Sequence, residues 1–276
     1  MTLTSENYFS RKVSQIYSGA SEFKSFFGTL VRPGCEARAL AEFQGKWQRE
    51  MSTALLVGSY VDAHYEGTLD LFKAQHPEIF LKGGGLKAEY RQADEIISFL
   101  EQDPKFSQYM SGEKQVIMTG EIEGVPFKIK IDSWHPGKMI VDLKVMASLT
   151  KREFVRGVGR VSFVNYWGYD IQGAIYQEIV RQNTGERLPF FIAGASKEKQ
   201  TNKELIWIDD NSLDIAMEWM TSEIVVPSTG EVVTRLKRLS QLKSGQANPE
   251  RCGKCDYCRA TKMLTGPVHY MDLEEE

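Results

Sequence analysis

GVPFKIKIDSWHPGKMIVDLKV, residues 124–145, is the stretch that decides the fold. Val125, Phe127, Ile129 and Ile131 alternate with Lys128, Lys130 and Asp132, a period of two that predicts a half-buried strand. Glu123-Gly124 and His135-Pro136-Gly137 are turn signals on either side. QVIMT (115–119) and MIVDLKV (139–145) read as the strands before and after, giving a three-stranded meander. Strand side chains alternate faces, so Asp142 and Lys144 share one face while Val141, Leu143 and Val145 point into a core. Asp132 ends the preceding strand, on the face of Lys128 and Lys130. The hairpin between the two strands therefore lets Asp132 converge on Asp142 and Lys144.

Upstream the period is helical. Residues 17–27 and 35–51 read as helices around the Pro33-Gly34 break, and 54–75 as a longer one containing Gly58 and Gly67. KGGG (82–85) is a loop, and 89–102 returns to helix. Downstream, YWGYDIQGAIYQEIVRQN (166–183) is a strongly amphipathic helix with Asn183 and Gly185 at its end. Strands are expected over 188–195 and 204–209, then a helix over 210–224 with an acidic start that suits its dipole. The order predicts an α/β fold with a central mixed sheet flanked by helices. We read 1–276 as one domain: a helical region over 1–110, an α/β core over 111–225 and a basic, cysteine-containing segment over 226–276.

Hydrophobic residues at 42% and charged residues at 26% describe an ordinary globular chain. A formal charge of −3 neither supports nor excludes a polyanionic partner, because phosphate binding depends on local patches. MTLTSENYFSRKVSQ lacks a basic stretch followed by an apolar one, and no apolar run approaches the ~18 residues of a membrane span. A cytoplasmic protein with no membrane partner is expected. Cys252, Cys255 and Cys258 form C-x2-C-x2-C, and Cys35 is the fourth cysteine. In a reducing compartment that spacing favours a bound metal over disulfides.

Two carboxylates, Asp132 and Asp142, can hold Mg²⁺ or Mn²⁺, hard cations that prefer oxygen. A bound cation polarises a phosphodiester and acidifies water, and a neighbouring lysine orients that water. D-x-K alone is commonly a solvated strand face. Weight comes from the order of several elements: His64 within GSYVDAHYEG, then Asp132, then Asp142 and Lys144, then Gln172 and Tyr176 at i, i+4 on one helix face.

This order resembles the RecB-type branch of the PD-(D/E)xK nucleases, especially the phage and prophage exonucleases of the RecE type (exodeoxyribonuclease eight-like). GSYVDAHYEG, GVPFKIKIDSWHPGKMIVDLKV and WGYDIQGAIYQEIV carry the resemblance. It implies a restriction-endonuclease-like core and a metal-dependent DNA exonuclease that resects linear duplex ends for recombination. It implies that His64, Asp132, Asp142 and the Leu143 carbonyl bind or position the metal, and that Lys144 assists the attacking water. Gln172 would brace the site, and Tyr176 would contact DNA or support its helix. Val145 stands where the family usually has threonine, at a position that is not a ligand. A single-strand annealing protein as partner, a homo-oligomer, and the cytoplasm of a bacterium or phage-infected cell follow from the same resemblance. Cys35 with the C-terminal triplet is similar to the iron–sulfur nucleases of this branch, which implies a [4Fe–4S] cluster; the triplet is tighter than theirs, and Zn²⁺ is the alternative occupant. The rival readings are a non-catalytic nucleic-acid-binding auxiliary subunit and an interaction protein built on its cysteine-bound metal.

Lys151, Arg152, Arg156 and Arg160 follow the third strand directly and are candidate phosphate contacts. From Arg235 to Lys262, eight basic residues face two acidic ones, a second basic surface. No helix-turn-helix or zinc-finger reader is evident, so sequence-specific base readout is not expected. Trp134 and Trp167 bracket the site as core residues or base-stacking platforms. Glu121 reads as a solvated turn residue.

Overall fold

Seven helices open the chain in the computed structural model, which describes residues 2–48, 52–264 and 266–273. They are α1 (Arg11–Ile16), α2 (Ala20–Phe27), α3 (Glu36–Phe43), α4 (Thr53–Tyr65), α5 (Leu69–Gln75), α6 (Ala88–Glu101) and α7 (Pro104–Tyr109). The helices expected over 35–51 and 54–75 are shorter. The chain leaves helix near Gly45 (φ 70°) and Gly67 (φ 74°), left-handed positions that stop a helix and favour glycine. The end of the first of these expected helices, residues 49–51, lies outside the described residues. Ser52 caps α4 through the Leu55 N–H at 3.3 Å. Asp103 caps α7 through Lys105 and Phe106, with Pro104 at the first helical position.

β1 (Val116–Ile122) and β2 (Val125–Ile131) form an antiparallel hairpin. Glu123 and Gly124 both take positive φ, 47° and 75°, as the tightest two-residue hairpin turn demands. The chain then bends at Asp132. β3 (Ser133–His135) pairs antiparallel with β4 (Met139–Met146) in a separate sheet. The expected meander is thus broken in two. The physical reason is local: the Leu143 N–H on β4 donates to Asp132 Oδ2 at 2.9 Å, so a side chain stands where a strand carbonyl would continue the ladder.

A small exposed hairpin, β5 (Glu153–Val155) and β6 (Gly159–Val161), follows β4, then α8 (Phe163–Trp167) and α9 (Tyr169–Thr184). The predicted helix over 166–183 is therefore two, separated by Gly168 at φ 65°. β7 (Phe190–Ser196) runs parallel to β4, and β8 (Lys203–Ile208) antiparallel to β7, so the main sheet has the order β3-β4-β7-β8. α10 (Asp210–Thr221), the hairpin β9 (Glu223–Val225) and β10 (Val232–Thr234), α11 (Arg235–Lys243) and α12 (Asp256–Ala260) complete the chain's main elements.

Helices cover both faces of the sheet. Ile140, Phe190, Ile192 and Ile208 pack with residues of α2, α9, α10 and α11. Val141, Leu143, Ala193 and Ala195 pack with α4 and α6. Each fully buried Ile or Phe contributes about 1.5–3 kcal/mol. α9 lies hard against the sheet because residue 173 is glycine: a Cβ there would meet Phe190 and Leu213 side-chain atoms at 2.8 Å. The result is a central mixed sheet between two helical layers, with β4 in the middle and the bend at Asp132 beside it.

Residues beyond 226 belong to this packing. Leu236, Leu239 and Leu242 of α11 are fully buried. Arg238, also buried, grips Glu36 of α3 through two hydrogen bonds of 3.1 and 2.7 Å, and the Glu250 N–H donates to the same carboxylate at 2.8 Å.

Candidate active site and a cysteine quartet

The break between β2 and β3 opens one side of a cavity of about 600 Å³. Asp132, Asp142, Leu143, Lys144, Gln172 and Tyr176 line it from the sheet and α9. Each carboxylate is held by its own partner. Asp132 Oδ2 accepts the Leu143 N–H, and Oδ1 accepts the Gln115 side-chain amide at 3.3 Å. Asp142 is buried; its Oδ1 accepts Gln172 Nε2 at 2.7 Å, and its Oδ2 meets the Lys144 ammonium as an ion pair. Lys144 also donates to the Leu143 carbonyl at 3.1 Å. Tyr176 donates its hydroxyl to the Lys130 carbonyl at 2.9 Å, tying α9 to β2 just before the bend.

The electrostatics follow from burial and crowding. Burial pushes Asp142 up to about 6, opposed by the adjacent Lys144 and reinforced by Asp132. Burial alone would lower Lys144, but Asp142 and Asp132 outweigh it and raise the lysine, which keeps it an ammonium. Asp62 on α4 reaches the same cavity and is pushed up to about 8, by burial first and then by Asp132 and Asp142. Lys24 on α2 falls to about 8 through burial and then the nearby Lys144. Its ammonium holds the Trp167 and Gly168 carbonyls at 3.0 and 3.2 Å, fixing the turn that starts α9.

These donors suit a hard divalent cation. Carboxylates and a backbone carbonyl face one cavity, and the buried Asp142 Oδ2 is without a well-formed hydrogen bond. Asp132, Asp142 and the Leu143 carbonyl are the atoms that would hold such an ion, with Asp62 opposite.

Comparison with known proteins agrees with this layout. A family profile described as "PDDEXK-like domain of unknown function (DUF3799)" matches residues 19–261. The chain belongs to this PDDEXK-like family. Among solved structures it is similar to a protein from Eubacterium rectale described as "Putative exonuclease", with 50% identity and a TM-score of 0.89 over 99% of this chain and 98% of that one. A structure described as SSO0001 aligns at 14% identity and a TM-score of 0.26 over 66% of this chain and 81% of that one, which carries no argument. A search of curated proteins finds no match.

Within this PDDEXK-like fold the structure does not bring His64 to the carboxylates. Its Nε2 meets Glu101 of α6 at 2.7 Å on another face of α4, with 30% of the side chain exposed. Helical geometry explains the correction: Asp62 and Glu66, spaced i, i+4, turn toward the cavity, and residue 64 turns away. Glu66 pairs with Lys130 at 3.3 Å. Asp62 and Glu66, which line the cavity, and Lys24, which braces the turn into α9 behind it, are residues that the sequence did not single out. For the first two a signal existed, a carboxylate pair on one face of an otherwise apolar helix. For Lys24, an ordinary surface-like position in sequence, there was none.

Lys151, Arg152, Arg156 and Arg160 lie on or beside the exposed β5–β6 hairpin directly after β4. Trp134 is buried in the core, whereas Trp167 is 46% exposed at the end of α8. Glu121 is exposed near the β1–β2 turn, its backbone bonded to the Gln182 side chain. Cys35, Cys252, Cys255 and Cys258 come together as one set, with all four sulfurs within 4.8 Å of one another. Among the described residues this is the set of metal-binding side chains gathered that tightly, and it forms its own small cluster apart from both apolar cores. No helix among the described residues is long and apolar enough to cross a membrane.

Proposed function

We propose that this protein is a nuclease that hydrolyses phosphodiester bonds in DNA, and more narrowly a metal-dependent exonuclease acting on linear duplex ends. One observation carries the reading: in a PDDEXK-like chain, Asp132, Asp142 and Lys144 face one open cavity, with Gln172 fixing Asp142. The similarity to a protein described as an exonuclease supports the narrower form.

When bound, Mg²⁺ or Mn²⁺ supplies a Lewis acid for the scissile phosphate and its water. The protein does the rest by position. Asp132 is held by the Leu143 amide and Asp142 by Gln172, so neither carboxylate has to reorganise. Lys144, kept cationic by those carboxylates, donates to the attacking water and offsets charge on the phosphate. Tyr176 and Lys24 act on geometry, bracing the β2 end and the start of α9. The β5–β6 hairpin, which follows β4 in the chain, offers Lys151, Arg152, Arg156 and Arg160 to the DNA backbone. Resection for recombination, a single-strand annealing partner and assembly with further copies of this chain belong to the proposal through the family resemblance alone.

The test is digestion of end-labelled linear duplex and closed circular DNA, with Mg²⁺, Mn²⁺ or EDTA, by wild type and Lys144→Ala. Metal-dependent loss of the linear substrate only, absent in the variant, is expected. Cutting of the circle keeps the chemistry but makes the enzyme an endonuclease. A folded protein that cleaves neither substrate with either metal overturns the proposal in favour of an auxiliary DNA-binding subunit.

A further inference from the structure

The cysteine quartet is too tight for the cluster that the family resemblance implies. Cys35 and Cys258 sulfurs stand 3.6 Å apart, Cys255 and Cys35 3.7 Å, Cys252 and Cys258 3.9 Å. Disulfides are excluded, since bonded sulfurs lie about 2.05 Å apart. In a [4Fe–4S] cluster each thiolate reaches its own iron at a separate corner of the cube, which holds the four sulfurs roughly 6 Å apart. Here they are close to van der Waals contact, with no interior for an eight-atom cube. Four thiolates about 2.3 Å from a single ion at tetrahedral angles stand about 3.8 Å apart. The three contacts of 3.6–3.9 Å match that spacing, and all six pairs lie within 4.8 Å, short of what the cube requires.

We propose that Cys35, Cys252, Cys255 and Cys258 bind one Zn²⁺ in a closed tetrahedral site, in place of an iron–sulfur cluster. The surroundings fit a structural ion. The Cys255 N–H donates to Cys252 Sγ at 3.4 Å and the Arg38 N–H to Cys35 Sγ at 3.5 Å, orienting two thiolates as backbone amides do in zinc knuckles. Cys35 and Cys258 are buried and the other two half-buried, so all four positions are filled by protein. Tyr257 packs on Trp47 at 5.5 Å between ring centres, and Arg251 holds the Cys258 carbonyl at 3.0 Å, closing the knuckle onto α3. Binding releases the thiol protons and pins residues 252–258 to the N-terminal end of α3. The site performs no chemistry on DNA and is separate from the oxygen-lined cavity.

The test is elemental analysis of the full chain, purified without oxygen from cells supplied with both iron and zinc. One zinc per chain with no acid-labile sulfide is expected, and an Asp132→Ala, Asp142→Ala double variant keeps it. Iron and sulfide at four per chain with visible charge-transfer absorption overturns the proposal, as does loss of the zinc in that double variant. Cys255→Ser is expected to lose the ion and melt several degrees lower. Should that variant not fold, cobalt exchanged into the wild type decides: intense tetrahedral bands with thiolate charge transfer are expected, and their absence overturns the assignment. Native zinc-free protein with four freely titrating thiols also overturns it.

Discussion

The cavity at Asp142 and the quartet at Cys258 gather negative groups in opposite ways. The cavity gives each carboxylate its own donor and leaves one side open to solvent. The quartet presses four sulfurs together and closes around them. Oxygen ligands on separate elements suit a cation that must exchange water and admit a phosphate. Sulfurs from two distant segments of chain suit an ion that never leaves. The proposed roles, turnover for one centre and cohesion for the other, are expected to separate by mutation.

The largest expected effect lies on the cohesive side. Glu36→Gln leaves Arg238 buried with its charge uncompensated, which costs about 3–5 kcal/mol. Denaturant unfolding checks this; a loss below about 1 kcal/mol means that water reaches the pair. Activity of the protein still folded is expected to be unchanged. Lys144→Ala acts on the other centre: cleavage falls by about 10²–10³-fold and bound zinc holds, while the melting midpoint drops because the buried Asp142 loses its ion-pair partner. Should the zinc be lost with the activity, the two centres are coupled and the contrast fails. Gln172→Ala removes the donor on Asp142, and the metal concentration for half-maximal cleavage is expected to rise roughly 10–100-fold.

Asp62 gives a smaller effect with a definite sign. Its carboxyl titrates near 3.8 when unfolded and near 8 when folded. Between those values the unfolded chain has released a proton that the folded one retains, so stability without added divalent ion falls as pH rises through that window. Asp62→Asn removes this slope. Its melting midpoint is expected to exceed wild type at about pH 8 and to match it below about pH 4. An equal shift at both pH values places Asp62 in solvent. The smallest effect is that of His64→Ala, within about 0.5 kcal/mol in stability and without change in cleavage. A large loss of activity there returns His64 to the site.

Much of this was legible in residues 124–145. Alternation of apolar and polar residues gave β2 and β4 their faces, and a short hairpin brought Asp132 beside Asp142 because nothing else fits between two such strands. The bend at Asp132 was not legible, because it arises when one side chain takes a hydrogen bond that a neighbouring carbonyl could equally have taken. Glycine position misled three times. Gly45, Gly67 and Gly168 end helices through left-handed backbone, yet each sits inside a run read from sequence as one continuous helix. His64 drew attention as a ligand type, while the phase of α4 about its axis, set by packing on the sheet, selected residues 62 and 66. The cysteine spacing announced a set of side chains able to hold a metal, but which metal would suit it depends on distances between sulfurs brought together from opposite ends of the chain.

The contact between Cys35 and Cys258 spans 223 positions of sequence. A ribosome adding roughly 5–20 residues each second needs on the order of 10–45 s to travel that far. Throughout that interval Cys35 waits at the start of α3 without its partners, while every residue that lines the cavity has already been synthesised by Tyr176. All the side chains of the cavity are thus synthesised well before the last cysteine, though β7, the parallel partner of β4, comes after them, and capture of the proposed zinc falls among the last events in the birth of the molecule.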